Sequence, residues 1–438
     1  MQRRFCDRRW FWAGALVLFS VAIDLTFVLF NGVLVGDNDL SFYYTQYTEM
    51  MGHDYRVRGM YSALFPGTVT YPALLTFVSK LFGLDAARHL IPIGLNIAVM
   101  AVFAGVAFLC FSGPGKGNGR GFALGLLLCV NPYKMIYAAT VNAELLFGAC
   151  VFFSVAVFDR ARRSEGKASW ALYAGSAALC AVSALFRPLG LILVAAVCLY
   201  LALFSGTPMK RVLPVCGLFI VSFWLVGLAN NGIVKNASGF DIPKRSYGWN
   251  LYVGASETGT WNSADGAAFE EMMAGGGTPD EIMAAFADKA FRRYKAMGLG
   301  AVPHGLEKLS RLFPATAYLQ QQLPVKTRTA YLPVLSAFDA PVMILGLLGL
   351  ALALWRREKG FVMPLIALYV LGNVAAFMFL EVAPRYFVSF HLLMCVPALY
   401  FVEWFFRGGK RGMMKNIDKG GTAREHKDAE GLADADQN

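Results

Sequence analysis

Two carboxylates, Asp37 and Asp39, stand in the segment Gly36-Asp-Asn-Asp39-Leu-Ser-Phe-Tyr-Tyr44-Thr-Gln-Tyr47, directly after the first apolar run of the chain. A carboxylate partly withdrawn from water at a membrane surface can take a proton from an attacking hydroxyl or amine. Both aspartates also have a plainer use. Leu40, Tyr43/Tyr44, Tyr47 and Met50/Met51 recur at helical spacing, so Asp37 or Asp39 can cap the amphipathic helix they form. That helix is expected to lie flat at the interface with its tyrosines at the boundary. The Asp-Asn-Asp spacing passes superficially for a metal triplet; a metal-free base is the reading preferred, and no metal is assigned. His53, His304 and His391 show no ligand spacing. Isolated cations complete the set: Arg187 and Arg385, each in a very short break between apolar runs, with Lys134 and Lys308.

The elements that must position these groups are membrane helices. Of 438 residues, 57% are apolar and 16% charged, against about a quarter charged in an ordinary soluble domain. The mean hydropathy is +0.49. Disorder is excluded, and a soluble enzyme is disfavoured. The first apolar run, from about Trp10 to Val35, follows a basic start but is too long for a signal peptide and has no small-residue cleavage site, so it reads as an uncleaved anchor. Further runs lie near 89–112, 121–138, 142–158, 169–186, 188–205, 211–230, 332–355, 361–380 and 386–406. The expected fold is an all-α polytopic membrane protein of about ten spans.

The charge distribution tests that count. With the N-terminus inside, the inner segments carry 22 of the 40 Lys and Arg, and the short outer loops carry 7. The other 11 fall in the long segment 231–331, which the positive-inside rule does not count. Both termini are therefore expected in the cytosol. The net charge of +11 reads as a topology signal, with no nucleic-acid partner. Eight cysteines form no disulfide framework and no CxxC pair; seven lie in apolar runs and Cys6 near the N-terminus. Arg187 and Arg385 break the positive-inside bias, which favours function over snorkelling. For Lys134 and Lys308 snorkelling is the preferred reading. Asp24 is a charge in mid-span with no partner evident from the sequence.

Two outer pieces, 36–88 and 231–331, are expected to carry function, and 407–438 reads as a disordered cytosolic tail. In Phe65-Pro-Gly67-Thr-Val-Thr-Tyr71-Pro72-Ala-Leu-Leu, continuing to Lys80-Leu-Phe-Gly83, Pro72 suits a first helical turn and Gly83 a helix end. Its apolar part is too short to span. In the long loop, Thr278-Pro-Asp-Glu281 is a capping box with proline at the first helical position. It opens a helix through Ile282, Phe286 and Tyr294 that stops before Gly298. Trp249, Tyr252 and Trp261 could stack on sugar rings, although packing is the commoner use. Glu144 and Glu381, near span ends, could line a cavity or be solvated. His391 in the last span reads first as a core histidine. The Gly-rich stretch 113–119 lacks Walker spacing, and no GxGxxG follows a strand.

The order of these pieces resembles the C-type glycosyltransferases (GT-C fold), in particular the protein O-mannosyltransferase and aminoarabinose-transferase branch. The resemblance runs over most of residues 10–406. It rests on the acidic pair after span 1, the aromatic run, FPG with YPALL and KLFG, Asn131-Pro-Tyr133, Asn142-Ala-Glu144-Leu-Leu-Phe147, Phe186-Arg187-Pro188-Leu-Gly190 and Arg385-Tyr386. Gly248-Trp-Asn-Leu-Tyr-Val-Gly254 with Gly259-Thr-Trp-Asn262 looks like an outer loop of bacterial members. The branch often has Asp-Glu where this chain has Asp37-Asn38-Asp39, so the base is carried to Asp37 first and Asp39 second.

The resemblance implies a GT-C-like transmembrane catalytic domain over 1–406, with 231–331 as a lid, in the plasma membrane. Its partners would be a polyprenyl-phosphate sugar donor, membrane lipids and an extracytoplasmic acceptor that is a lipid, glycan or protein. No cofactor is expected. A lipid phosphate leaving group needs cations, and arginine offers a fork matched to phosphate oxygens. Arg187 and Arg385 take that role, with Lys134 and Lys308 as further candidates. Tyr44, Tyr71, Glu144, Trp249 and Tyr386 are the candidate substrate contacts. The rival readings are a transporter or flippase, which predicts midplane charges and paired broken helices, a non-catalytic sensor or assembly protein, and an O-antigen-type polymerase or ligase.

Overall fold

The computed structural model describes residues 2–34, 39–57, 59–84, 90–112, 118–312, 325–356 and 362–408. Asp37 and the tail from 409 lie outside them, as does Cys6's side chain. Asp39 falls within a helix, but its side chain is not among those described.

Every described element of regular structure is helical. The long helices are α1 (Gln2–Asn31), and, after the short helices α2 (Asp39–Gly52), α3 (Tyr61–Leu64) and α4 (Gly67–Phe82), α5 (Leu90–Phe111). Next come α6 (Asn118–Cys129), α7 (Pro132–Ala138), α8 (Glu144–Arg162), α9 (Gly166–Phe186), α10 (Gly190–Leu203) and α11 (Met209–Ser238). The long loop supplies α12 (Gly248–Gly254), α13 (Ser263–Ala274), α14 (Pro279–Met297) and α15 (Ala301–Leu312). The chain continues with α16 (Val325–Trp355), α17 (Met363–Phe379) and α18 (Phe387–Gly408).

All ten apolar runs are thus helical. Among the described residues five helices are long and apolar enough to cross a membrane, or six if one bent pair counts as a single span. That pair is α6 and α7, which the sequence reads as one segment. It is broken at Val130–Asn131 and bent by 49°. Pro132 at the first position of α7 removes a backbone donor, and Asn131 caps the new helix by accepting from the Lys134 amide at 3.2 Å. α10, α17 and the 391–406 part of α18 are apolar but shorter.

The bundle core is built by α8 against α9, α16 against α18, and α1 against α5 and α6. Two buried ionic groups lie within it. Lys134 Nζ pairs with Asp24 at 2.9 Å and donates to Ser20 Oγ at 2.7 Å, all three side chains fully buried. This supplies the partner that Asp24 lacked, and it corrects the expectation for Lys134, which neither snorkels nor approaches a ligand cavity. His391 meets Asp339 at 3.4 Å and Asn131 at 3.2 Å, inside the bundle.

The first loop differs from expectation in two respects. α2 turns two of its tyrosines into the protein rather than outward. Tyr43, Tyr47 and Met50 are buried, and the Tyr47 hydroxyl bonds Ser79 Oγ on α4 at 2.6 Å. The apolar stripe is wide enough to be covered by α4, and protein contact takes the place of lipid. α4 also starts a turn earlier than Pro72 suggested, at Gly67, which leaves Pro72 inside the helix. Gly83 ends it in the left-handed conformation (φ 62°), as expected.

A second apolar core joins the two loops. Leu64 from α3 packs with Trp249, Leu251 and Tyr252 of α12 and with Ile282, Met283 and Phe286 of α14. The capping box is present, Thr278 and Glu281 each bonding the other's backbone amide. The Thr278 amide and hydroxyl, both donating to the Glu281 carboxylate, lower its pKa.

Candidate functional site

A cavity of about 900 Å³ opens where the two loops meet the ends of α9, α11 and α17. Its walls come from six parts of the chain. α2 and α3 give Phe42, Tyr43 and Tyr61; the Phe65-Pro66-Gly67 turn gives its floor; and α11 gives Phe223 and Asn230. The long loop adds Trp249, Trp261 and Glu270, and the turns after α9 and α17 add Arg187, Glu381, Arg385 and Tyr386.

Local structure explains why these turns converge. A Cβ on Gly67 would stand 2.8 Å from the Phe186 carbonyl oxygen, so only glycine lets the FPG turn close on the turn that carries Arg187. Thr70 Oγ1 then reaches Asn230 on α11 at 2.7 Å. The long loop is stitched to the end of α17 by backbone bonds, Glu381 N to Asn250 O at 2.7 Å and Val382 N to Gly259 O at 3.0 Å. A Cβ on Gly254 would be 2.2 Å from the Phe379 carbonyl.

The two arginines come together as the spacing alone could not show. Arg187 Nη2 bonds Glu144 Oε1, and Arg385 Nε lies 3.5 Å from the same oxygen. Both guanidinium carbons stand over the Tyr386 ring, at 5.1 and 5.0 Å from its centre. That ring in turn stacks on Phe377. Arg187 and Arg385 keep 17% and 16% of their side-chain surface exposed, while Glu144 is sealed behind them. Burial works against the charge on Arg187, but Glu144, ahead of Tyr43 and Tyr386, outweighs it and raises the pKa further. Arg187 thus stays charged, and both guanidinium groups belong to residues of the cavity wall.

The candidates therefore divide. Arg187, Arg385, Trp249 and Tyr386 line the cavity. Glu144, expected as a substrate contact, does not; it contacts the arginines from the protein side. Tyr71 is fully buried, edge-on to Tyr43 at 5.6 Å, and Tyr43, the neighbour of candidate Tyr44, takes the cavity position. Trp249 is a packing residue as well as a wall, with Phe269 and Phe286 each 4.9 Å away. Trp261 is the exposed aromatic of the cavity, at 61%. Glu381, expected either to line a cavity or to be solvated, is in the cavity wall.

The chain just after span 1 is anchored to the same corner. Leu34 N donates to the Ala139 carbonyl at 2.9 Å, and Leu34 bridges Thr140. Asn96 also holds the Thr140 carbonyl, at 2.8 Å, and Asn142 Oδ1 accepts the Glu144 amide at 3.1 Å. Leu34 is thus tied to the turn that leads into Glu144, and Tyr43 of α2 lines the cavity.

Lys308 is buried in the protein and is not part of the cavity wall. Its Nζ donates to Gly254 O at 2.7 Å, Leu380 O at 3.2 Å and Tyr294 Oη at 3.3 Å, so it pins the long loop to the end of α17. Burial lowers its pKa to about 8 from 10.5. Between those values the unfolded chain binds more protons, so stability should rise with pH from about 8 to about 10.5. Lys308→Met should abolish that rise. It should also cost about 1–3 kcal/mol by leaving the Leu380 carbonyl without this donor. Thermal unfolding of both proteins at pH 7 and pH 10 reads both effects, and identical pH dependence would count against the assignment.

Among the described residues no group of three or more His, Cys, Asp or Glu is arranged to hold a metal ion. The seven described cysteines are free thiols. No family model matches the chain, and no curated protein matches it in sequence.

Proposed function

We propose that this chain is a membrane glycosyltransferase that moves a sugar from a polyprenyl-phosphate donor to an extracytoplasmic acceptor. The single observation that carries the reading is the pair Arg187 and Arg385. They come from distant parts of the chain and present charged, partly exposed guanidinium groups to one aromatic-walled cavity. Cations so held, with little water around them, suit a phosphate that gains charge as its bond to the sugar breaks.

In this reading Asp37, with Asp39 second, takes the acceptor proton as the acceptor oxygen or nitrogen attacks the anomeric carbon. The carbon–oxygen bond to phosphate breaks on the opposite face, with inversion, and the lipid phosphate leaves against the arginines. Trp261 offers a surface for the sugar. The lipid would enter beside α11, which lines the cavity through Phe223 and Val226 while exposing Ile220, Val221, Trp224 and Leu225 on its outside. The matching architecture is a GT-C-like bundle of ten spans with both termini cytosolic, in the plasma membrane, and with 231–331 as lid.

The test is incubation of the purified protein with radiolabelled polyprenyl-phosphate sugars and membrane extract. Arg385→Ala should raise the donor KM and lower kcat/KM by about 10²–10³-fold, the usual cost of losing one such donor. Unchanged donor kinetics would remove the clamp.

A transporter remains the second reading on one specific observation, the bent pair α6–α7 beside the buried Lys134–Asp24 ion pair. Those residues are not part of the cavity wall. Substrate-dependent transport in vesicles that survives Arg385→Ala would favour it.

A further inference from the structure

We propose that the elbow between α14 and α15 is a lipid-binding surface, which seats the long loop on the bilayer at the Phe379 end of α17. The inference goes beyond sugar transfer and does not depend on it.

The elbow presents apolar side chains outward. Leu299, in the short turn Gly298–Gly300 between the two helices, is 92% exposed, and Phe291, Val302 and Leu306 are each more than half exposed. α15 divides into three sectors at about 100° per residue. Gly305 and Lys308 face the protein, and a Cβ on Gly305 would stand 3.0 Å from Met378 Cβ, so the helix crosses the end of α17 closely. Val302 and Leu306 share an outward face, and the exposed Pro303, Glu307 and Ser310 share the next. A helix with an apolar edge between a packed side and a polar side fits the boundary of hydrocarbon and headgroups.

Two observations select lipid as the occupant. The first is length. α17 has 17 residues and so reaches about 26 Å, a few ångströms less than the roughly 30 Å of a hydrocarbon core. The elbow sits on its Phe379 end and continues its apolar surface. Tyr294 Oη donates to the Phe379 carbonyl at 2.5 Å, and its ring meets the half-exposed Phe379 ring at 5.7 Å. The second is charge. Arg292 and Lys295, exposed in the last turns of α14, stand beside the apolar tip, and cations at such an edge suit lipid phosphates. The stretch the elbow grips, through the Phe379 and Leu380 carbonyls, runs on into Glu381 of the cavity wall. The bilayer surface would thereby help fix the long loop over the cavity.

The experiment places an environment-sensitive fluorophore on Leu299→Cys and on Val302→Cys, with Glu271→Cys on α13 as an exposed control. The full chain is held in nanodiscs, and label on the native thiols is subtracted using the unsubstituted chain. Leu299 makes almost no contact with the protein, so its replacement leaves the fold intact. Phosphatidylcholine bearing a nitroxide near the headgroup end of its acyl chain should quench the Leu299 and Val302 probes several-fold more than the Glu271 probe. Aqueous iodide should quench in the reverse order. Leu299 and Val302 probes as open to iodide as the control would put the elbow in water and overturn the proposal. Shielding of both from iodide and nitroxide lipid alike would show protein covering the surface, a second copy included, and would overturn it equally.

Discussion

Asp37→Asn is expected to abolish sugar transfer while leaving the protein folded and inserted. Asparagine keeps the shape of the side chain and its ability to cap a helix, but it cannot accept the acceptor's proton. General-base contributions are about 10²–10⁴-fold, so the loss should appear in kcat with little change in donor KM. Asp39→Asn separates the two carboxylates: the true base loses turnover, while a helix cap loses only some stability, about 1 kcal/mol at most for so conservative a change. Single-turnover transfer from a radiolabelled polyprenyl-phosphate sugar is the measurement. Full activity in both variants would remove the proposed mechanism, although the arginine cavity would still call for an anionic ligand.

The largest stability effect is expected at Lys134. Lys134→Met leaves Asp24 ionised or forced to take up a proton among apolar helices, with Ser20 as its remaining polar neighbour. Breaking one partner of a buried pair costs about 3–5 kcal/mol, enough to lower the unfolding temperature in detergent clearly. The double variant Asp24→Asn with Lys134→Met should recover much of that loss, because it removes both charges together. Additive losses in the two single variants and the double would mean that the pair does not couple. Donor binding should be nearly unchanged in the double variant, since neither residue is part of the cavity wall. A large rise in donor KM there would restore Lys134 to the ligand site.

The elements themselves were largely legible. All ten apolar runs are helices, and the Thr278 capping box, the Gly83 stop and the cap helix through Ile282 and Phe286 appear as read. These signals are local. A capping side chain bonds an amide three residues away, and a period of 3.6 is visible within a dozen residues. Misreadings arose where a local signal has two outcomes. Pro72 is compatible with a first turn and with a helix interior packed on neighbours. The apolar face of α2 suits lipid and protein equally well, and α4 decided between them. The break between α6 and α7 was written in Asn131-Pro132, yet the continuous apolar run concealed it.

The sequence alone determined a helical membrane chain with a few isolated ionisable groups, because apolar periodicity and the high cost of burying charge act on each segment separately. The tertiary structure alone decided who pairs with whom. Arg187, Arg385 and Glu144 sit on one corner, Lys134 answers Asp24, and Lys308 ties a loop to a helix end. Those choices join residues far apart in the chain. They depend on which helices pack side by side, and on glycines such as Gly67 and Gly254 that let two backbones touch. No spacing within one segment encodes such an encounter, because its energy exists only once both surfaces are in place.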